Sequence, residues 1–177
     1  VSLDSGLEKI EEVLNEETWE GEEEKHQKKL REGRERYEKL TVIHLDAHRD
    51  LAFEFIGEKF SHATVMRRAH EMGVDLVQIG MRSSSKEEED FVKSTYNIQT
   101  FKNRDVHKHM DALEYYITNI DGPIYVSIDM DVVDPSLAPS VGNPTPGGLF
   151  ISEIESILET LSHKNIVGLD VVETANR

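Results

Sequence analysis

The sequence predicts an α/β fold with an open, mostly parallel sheet that is covered by helices on both faces. Short apolar runs of strand length alternate along the chain with segments whose apolar residues recur at helical spacing. The strand runs are nearly continuously apolar, which is typical of strands buried on both faces of a parallel sheet. With 177 residues, 37% of them hydrophobic, the chain can build one ordinary core and is short for two.

The first forty residues differ in character from the rest and are interpreted as a charged helical N-terminal segment, residues 1–40. Glu, Lys and Arg dominate this segment, and Leu7, Ile10 and Val13 are spaced as on one face of a helix. We expect two helices here, broken near Gly21, with the second facing mostly solvent.

After residue 40 the alternation of strands and helices begins. Strands are predicted at Thr41–Leu45, Leu76–Ile79, Ile98–Phe101, Ile124–Ile128 and Ile166–Val172. Helices are predicted at residues 62–72, 86–94, 106–120 and 151–163. In sheets of this kind ligands collect at the carboxyl ends of the strands, so polar residues that follow a strand are the first candidates for a site.

Composition narrows the range of partners. The formal net charge of −15 repels phosphate backbones and anionic lipid and attracts small cations, although Glu-rich helix surfaces that maintain solubility are the alternative explanation. Because the chain has no cysteine, any metal must be bound by carboxylates, imidazoles or carbonyls. No apolar run has the length of a membrane span and no signal-peptide pattern opens the sequence. We expect a cytoplasmic protein without nucleic-acid or membrane partners.

Two predicted strands each run directly into potential metal ligands. The first is followed by Asp46, His48 and Asp50, which share one side of an extended chain. The second is followed by Asp129 and Asp131, which also share one side. Four carboxylates at adjacent strand ends repel one another unless cations neutralise them.

Oxygen ligands with an occasional imidazole suit Mn²⁺ or Mg²⁺ better than a tetrahedral zinc site. Bridging carboxylates can hold two such ions about 3.5–4 Å apart, a separation used for hydrolysis. We therefore expect two divalent ions. The alternative is that the aspartates cap helices or shape turns and that His48 has no role.

Three motifs resemble those of the arginase, agmatinase and formimidoylglutamase family. They are Asp46–Asp50 (DAHRD), Ser127–Pro135 (SIDMDVVDP) and the loop Ala138–Leu149. The resemblance implies an arginase-like three-layer α/β/α core over residues 41–177. It also implies ligand roles for five residues: Asp46 and Asp129 bridge two Mn²⁺ ions, Asp50 binds one of them, and His48 and Asp131 bind the other.

The same resemblance assigns the remaining catalytic parts. His62, in the agmatinase-like segment Phe60–Ala63, is expected to protonate the leaving amine, and its near-neutral reference pKa suits that work. Glu173, at the end of the last strand, is expected to bind the guanidinium group of the substrate. Asp134 resembles a carboxylate that supports the ligands, and forming a turn with the following proline is an equally good interpretation.

The function implied is that of a dinuclear manganese hydrolase. It would cleave a small cationic guanidino compound to urea and an amine by hydroxide attack. Agmatine is the expected substrate, and its hydrolysis would belong to polyamine biosynthesis. Relatives are usually oligomers, which makes a homo-oligomer possible, but the segments missing here could remove the contact surfaces, so the subunit number stays open.

One departure from the family pattern supports a second hypothesis. The sequence has no Gly-Gly-Asp-His or Gly-Gly-Glu-His motif, whose histidine completes the shell of the first ion, and it is shorter than family members. We expect a chain truncated or remodelled on its N-terminal side, and the alternative function is a noncatalytic or engineered remnant with a partial site and one ion. His26 is a weak substitute ligand. His44 shares the side of Asp46 but lies further back, and is interpreted with the remaining histidines as a packing or surface residue.

Overall fold

The computed structural model describes residues 39–174 together with Lys28. The two helices expected in the N-terminal segment therefore lie almost wholly outside the described residues. Within the described part, no helix is long and apolar enough to span a membrane.

Five parallel strands form one sheet, as the alternating pattern predicts. They are β1 (Thr41–Leu45), β2 (Asp75–Met81), β3 (Ile98–Lys102), β4 (Ile124–Asp129) and β5 (Ile166–Val172). The spatial order is β3-β2-β1-β4-β5, and every neighbouring pair is parallel. The α/β arrangement with a mostly parallel sheet is thus confirmed.

The helices lie between the strands. They are α1 (Val65–Glu71), α2 (Lys86–Ser94), α3 (Asn103–Lys108), α4 (Met110–Thr118) and α5 (Ile151–Ser162), and a 3₁₀ turn at His62–Thr64 leads into α1. The prediction of one helix over residues 106–120 is wrong, because the chain breaks at His109, whose φ of −141° and ψ of 48° are not helical. Val106 and Leu113 nevertheless face the same core, so the apolar spacing alone does not show the break.

One face of the sheet is mainly apolar. Ile43, Leu45 and Val126 project from the strands to this side and pack against Leu113 of α4 and Ile157 of α5. All five side chains are fully buried. Burying each such side chain contributes roughly 1.5–3 kcal/mol, so this apolar face is the main source of stability.

The other face changes character along the strands. Near their amino ends Val42, Leu76 and Tyr125 form a second apolar cluster, which packs against α1. Further along, each strand contributes one polar residue at the same register. His44 of the central strand pairs with Gln78 on one side and with Ser127 on the other. The row then continues outward from Gln78 to Thr100 and from Ser127 to Asp170. This polar row consists of Thr100, Gln78, His44, Ser127 and Asp170.

The polar row lies directly below the carboxyl ends of the central strands. Side chains two residues apart in a strand point the same way, so Asp46 follows His44 and Asp129 follows Ser127 on the same face. The strand β2 bulges at Gly80, whose φ is 92° and where an added Cβ would lie 2.6 Å from Val132 Cγ2 and 3.0 Å from Asp46 O. A glycine is therefore needed for the loops after β1 and β4 to approach β2 this closely.

Candidate metal centre

The candidate ligands lie at the carboxyl ends of the adjacent strands β1 and β4. Strand β1 is central, with β2 on one side and β4 on the other, so the crossover connections leave it in opposite directions. Such a switch in strand order opens a crevice above the sheet, where ligands bind in open α/β folds.

Asp46, His48 and Asp131 form the first group of potential ligands. His48 Nδ1 lies 2.8 Å from Asp131 Oδ2 and 3.5 Å from Asp46 Oδ1. One potential ligand atom from each residue lies within 4.8 Å of the other two, and both carboxylates are buried. The two sequence motifs, 84 residues apart, are joined by a hydrogen bond of 3.0 Å from Ala47 N to Asp131 Oδ1.

His44, Asp46 and Asp50 form a second group that shares Asp46 with the first. His44 Nε2 lies 2.8 Å from Asp46 Oδ2, and both side chains are buried. The interpretation of His44 as a mere packing or surface residue is therefore wrong. The sequence signal for His44 is its place two residues before Asp46, on the same side of the strand. That signal carries little weight because His44 lies inside the strand and not at its end.

Asp50 takes a strained backbone conformation at the entrance of the site. Its φ of 55° lies in the left-handed region, which costs a residue other than glycine about 1–3 kcal/mol. The strained turn lets its carbonyl accept hydrogen bonds of 3.0 Å from the backbone nitrogens of both Met66 and Arg67 at the start of α1. Burial, together with the charge of Asp46, raises the pKa of Asp50 well above its usual value.

Asp129 lies beside these two groups, although neither includes it. Its Oδ1 accepts a hydrogen bond of 2.8 Å from Asp131 N, and its side chain is buried. Burial and the charges of Asp46 and Asp131 raise the pKa of Asp129 to about 11. A bridging role for Asp129 thus remains a prediction, supported by its proximity to the charges of Asp46, Asp131 and Asp50.

The electrostatics of the cluster fit divalent cations. The pKa of His48 is raised to about 10, mainly by its hydrogen bonds to Asp131 and Asp46. Burial alone would raise the pKa of Asp46, but its interaction with His44 and its hydrogen bonds with His48 lower it. Protons on His48 and Asp129 therefore reduce the net negative charge of the cluster. A divalent cation that bound there would displace these protons and neutralise the carboxylates in their place. Carboxylate oxygens with one imidazole are ligands that Mn²⁺ accepts.

The loop between β4 and α5 covers His48. The Asn143 amide nitrogen and the Thr145 hydroxyl lie 3.2 and 3.3 Å from His48 Nε2. Asp134 shapes this loop: its Oδ2 accepts hydrogen bonds of 3.0 Å from the nitrogens of Gly147 and Gly148. Hydrogen bonds from Ser136, and then those from Gly148 and Gly147, lower the pKa of Asp134 to about 2. These contacts favour the turn-forming interpretation of Asp134, and its catalytic role stays a prediction.

Arg82 is a residue of the site that the sequence analysis did not single out. Its guanidinium donates to Asp131 O at 2.5 Å and to Thr145 O at 2.7 Å, and so links the loop to a potential ligand. Like Asp46, it directly follows a buried strand, and that position was the available signal.

His62 and Glu173 approach the cluster from two further elements. Glu173 follows β5 with a φ of 59°, is half-buried, and accepts a hydrogen bond from the backbone of Gly142. Burial and the charge of Asp131 raise the pKa of Glu173, while the charge of His62 lowers it. His62 is exposed and packs edge-on against Phe55, with ring centroids 5.1 Å apart. The structure thus brings both His62 and Asp131 within electrostatic range of Glu173.

Comparison with known proteins identifies the family. Residues 21–176 match the model of the arginase family. The chain belongs to the arginase family. It is 46% identical over 137 residues to an uncharacterised 32.2 kDa protein of Methanothermus fervidus, a match that covers 77% of this chain and 48% of that protein. It is 39% identical over 139 residues to an agmatinase of Pyrococcus horikoshii, covering 78% of this chain and 48% of that protein.

Solved structures agree with this assignment. The agmatine ureohydrolase of Thermoplasma volcanium superposes with a TM-score of 0.75 at 33% identity, covering 85% of this arginase-family chain and 52% of that one. The chain therefore spans about half the length of the curated relatives it matches.

Proposed function

We propose that this chain carries the dinuclear manganese centre of a ureohydrolase that cleaves a small guanidino compound, agmatine before others, to urea and an amine. The observation that carries the proposal is the cluster of Asp46, His48 and Asp131 at adjoining strand ends, with Asp50 and Asp129 beside it. Two divalent ions at this cluster supply Lewis-acid activation of water.

The protein's own residues bind and orient the substrate. Glu173 is half-buried and held by the backbone of Gly142, so its carboxylate can form two charge-assisted hydrogen bonds to a guanidinium group. The net charge of −15 and the carboxylates of the cluster attract a cation of this kind. Substrate binding thus places the guanidinium carbon above the metal ligands.

The reaction adds water to the guanidinium carbon and breaks its bond to the alkylated nitrogen. The oxygen of water stays with the carbon as urea, and the leaving nitrogen takes up a proton. His62 lies in electrostatic contact with Glu173 and is exposed, so it can deliver that proton and exchange it with solvent. Loss of His62 should lower kcat more than it raises KM.

A second candidate function is a noncatalytic one. The 177 residues contain no Gly-Gly-Asp-His or Gly-Gly-Glu-His segment, and they span about half the length of the curated relatives. A noncatalytic remnant with a partial metal site would bind one ion or none.

Urea release and metal content separate the two functions. The protein is preincubated with Mn²⁺ and assayed with agmatine, arginine, guanidinobutyrate and formimidoylglutamate. Metal per chain is counted in the same sample. Asp129→Ala should lose the activity, and Asp121→Asn, a surface aspartate, should retain it. Two ions per chain with urea formation support the hydrolase. No product from any substrate, with one ion or none, supports the remnant.

A further inference from the structure

His44 is held between the polar row and the metal cluster. Its Nε2 lies 2.8 Å from Asp46 Oδ2, and its Nδ1 lies 3.4 Å from Gln78 Nε2. The side chain is buried, and so is that of Gln78. Two roles match these positions: His44 could bind a metal through a ring lone pair, or it could donate a hydrogen bond to Asp46.

The orientation of the Gln78 amide decides between the two roles. Its Oε1 accepts a hydrogen bond of 2.9 Å from Arg49 Nη1, and its Nε2 donates one of 2.7 Å to Arg49 O. Turning the amide over would set its oxygen against a carbonyl oxygen and its NH₂ group against a guanidinium. Both contacts would be repulsive, so the nitrogen of Gln78 must face His44.

Arg49 cannot move to relax this arrangement. It is buried, and its guanidinium donates to Glu89 Oε1 from Nε at 2.9 Å and contacts the same oxygen from Nη2 at 2.8 Å. Its Nη1 also donates to Thr100 Oγ1 at 3.1 Å. Two nitrogens of the planar guanidinium thus converge on one carboxylate oxygen while the third binds Gln78 and Thr100, and together these contacts fix its orientation.

The fixed amide sets the tautomer of His44. Because Gln78 presents an N–H group to Nδ1, that ring nitrogen holds the lone pair, and the proton of the neutral imidazole is on Nε2. Nε2 points at Asp46 Oδ2, which accepts the hydrogen bond. In this tautomer the nitrogen that faces the cluster has no lone pair to offer a metal.

We propose that His44 is a positioning residue, not a metal ligand: it donates Nε2–H to Asp46 and fixes that carboxylate for metal binding. The proposal rests on the proposed function. The other carboxylate oxygen, Asp46 Oδ1, accepts a hydrogen bond of 2.5 Å from His48 N, so both oxygens are oriented before a metal arrives. Partners of this kind commonly raise metal affinity 10–100-fold.

The tautomer can be measured without any metal. Long-range ¹H–¹⁵N correlation spectra of the metal-free protein at about pH 8, assigned with His44→Phe, should show protonated Nε2 and unprotonated Nδ1 for His44. A proton on Nδ1, alone or together with one on Nε2, would overturn the proposal. This result does not depend on whether the protein is an enzyme.

Mn²⁺ binding supplies the second test. Electron spin echo modulation from ¹⁴N should be unchanged in His44→Phe and lost in His48→Phe, and the reverse pattern would identify His44 as a ligand and overturn the proposal. The affinity for Mn²⁺ should fall about 10–100-fold in His44→Phe and recover in His44→Gln, whose amide N–H can still donate to Asp46.

Equal losses of affinity in the Phe and Gln variants, with both still folded by circular dichroism, would contradict the positioning role. A wild-type protein that binds no Mn²⁺ would refute the proposed function. In that case the tautomer measurement alone decides whether His44 donates to Asp46.

Discussion

On one face of the sheet Ile43, Leu45 and Val126 pack against helices, whereas the other face of the same strands carries His44, Gln78 and the aspartates of the candidate metal centre. The two faces are separated only by the alternation of side chains along each strand. The first gains free energy from burial of apolar surface. The second loses free energy by burying charge, and recovers part of it through hydrogen bonds and proton uptake.

The contrast between the two faces predicts where substitutions affect stability and where they affect function. Truncation on the apolar face removes packing that nothing replaces. Neutralisation on the polar face removes repulsion in the metal-free protein and removes the site at the same time. Four substitutions or conditions test this division, in decreasing order of expected effect.

Leu113→Ala on α4 should have the largest effect on folding. Leu113 is fully buried in the apolar face, and truncating such a residue costs about 2–5 kcal/mol in unfolding free energy. Urea denaturation of the metal-free protein measures the loss. Tyr115→Ala on the same helix is the control, since that side chain is 74% exposed and should change stability little. Equal effects would mean that the apolar face does not dominate stability.

Asp129→Asn should act in the opposite direction. The pKa of Asp129 is raised to about 11 by burial and by Asp46 and Asp131, so the neutral side chain suits the metal-free fold. We expect stability to rise by about 1–3 kcal/mol at neutral pH, because asparagine is neutral without taking up the proton that the buried Asp129 must take up on folding. Mn²⁺ should no longer stabilise the variant. A less stable metal-free variant would show that the contacts of Asp129 stabilise the fold by more than its burial beside Asp46 and Asp131 costs.

The pH dependence of the metal-free protein should reflect the polar face. His48 has its pKa raised to about 10, so its contribution to stability is complete below its unfolded value of about 6.5 and is lost as pH rises through 10. The pKa of Asp129 is raised to about 11, so its titration also lowers the free energy of unfolding as pH rises from about 4 towards 11.

Thermal unfolding between about pH 7 and 9 tests both shifts. In EDTA the midpoint should fall with pH, by about 2–4 °C for each kcal/mol lost in a chain of this size. In excess Mn²⁺ the fall should be smaller or reversed, because the metal replaces the protons and binds more tightly as they leave. Identical slopes in EDTA and Mn²⁺ would contradict the proposed exchange of protons for metal.

Ser85→Ala should have the smallest effect. Ser85 begins α2, on the side of the polar row, and its hydroxyl accepts a hydrogen bond of 3.2 Å from Glu88 N. Losing this cap costs about 1 kcal/mol. Ser94→Ala, at the other end of the helix, should cost less, because its hydroxyl only donates back to Phe91 O within the helix. A loss from Ser85→Ala as large as that from Leu113→Ala would mean that α2 contributes more to folding than its exposed, polar surface suggests.

Much of this fold can be predicted from local patterns. The five strands match the apolar runs, and the helix Lys86–Ser94 matches its predicted bounds, because hydrophobic periodicity and capping are properties of neighbouring residues. The candidates Asp46, His48 and Asp131 also come together as expected, since parallel strands end on the same edge of the sheet. The break at His109 was not predictable, because the apolar spacing on both sides of it is continuous.

The positions of the strands, the side of the strand on which each aspartate lies and the likeness to the arginase family all follow from the amino-acid sequence. The contacts between distant residues are set by the tertiary structure. The contact of His44 with Gln78 and that of Arg82 with Thr145 join residues 34 and 63 positions apart, so no local pattern contains them. Strand register and loop packing set these contacts, and they depend on the summed burial of the whole core rather than on any short segment of the chain.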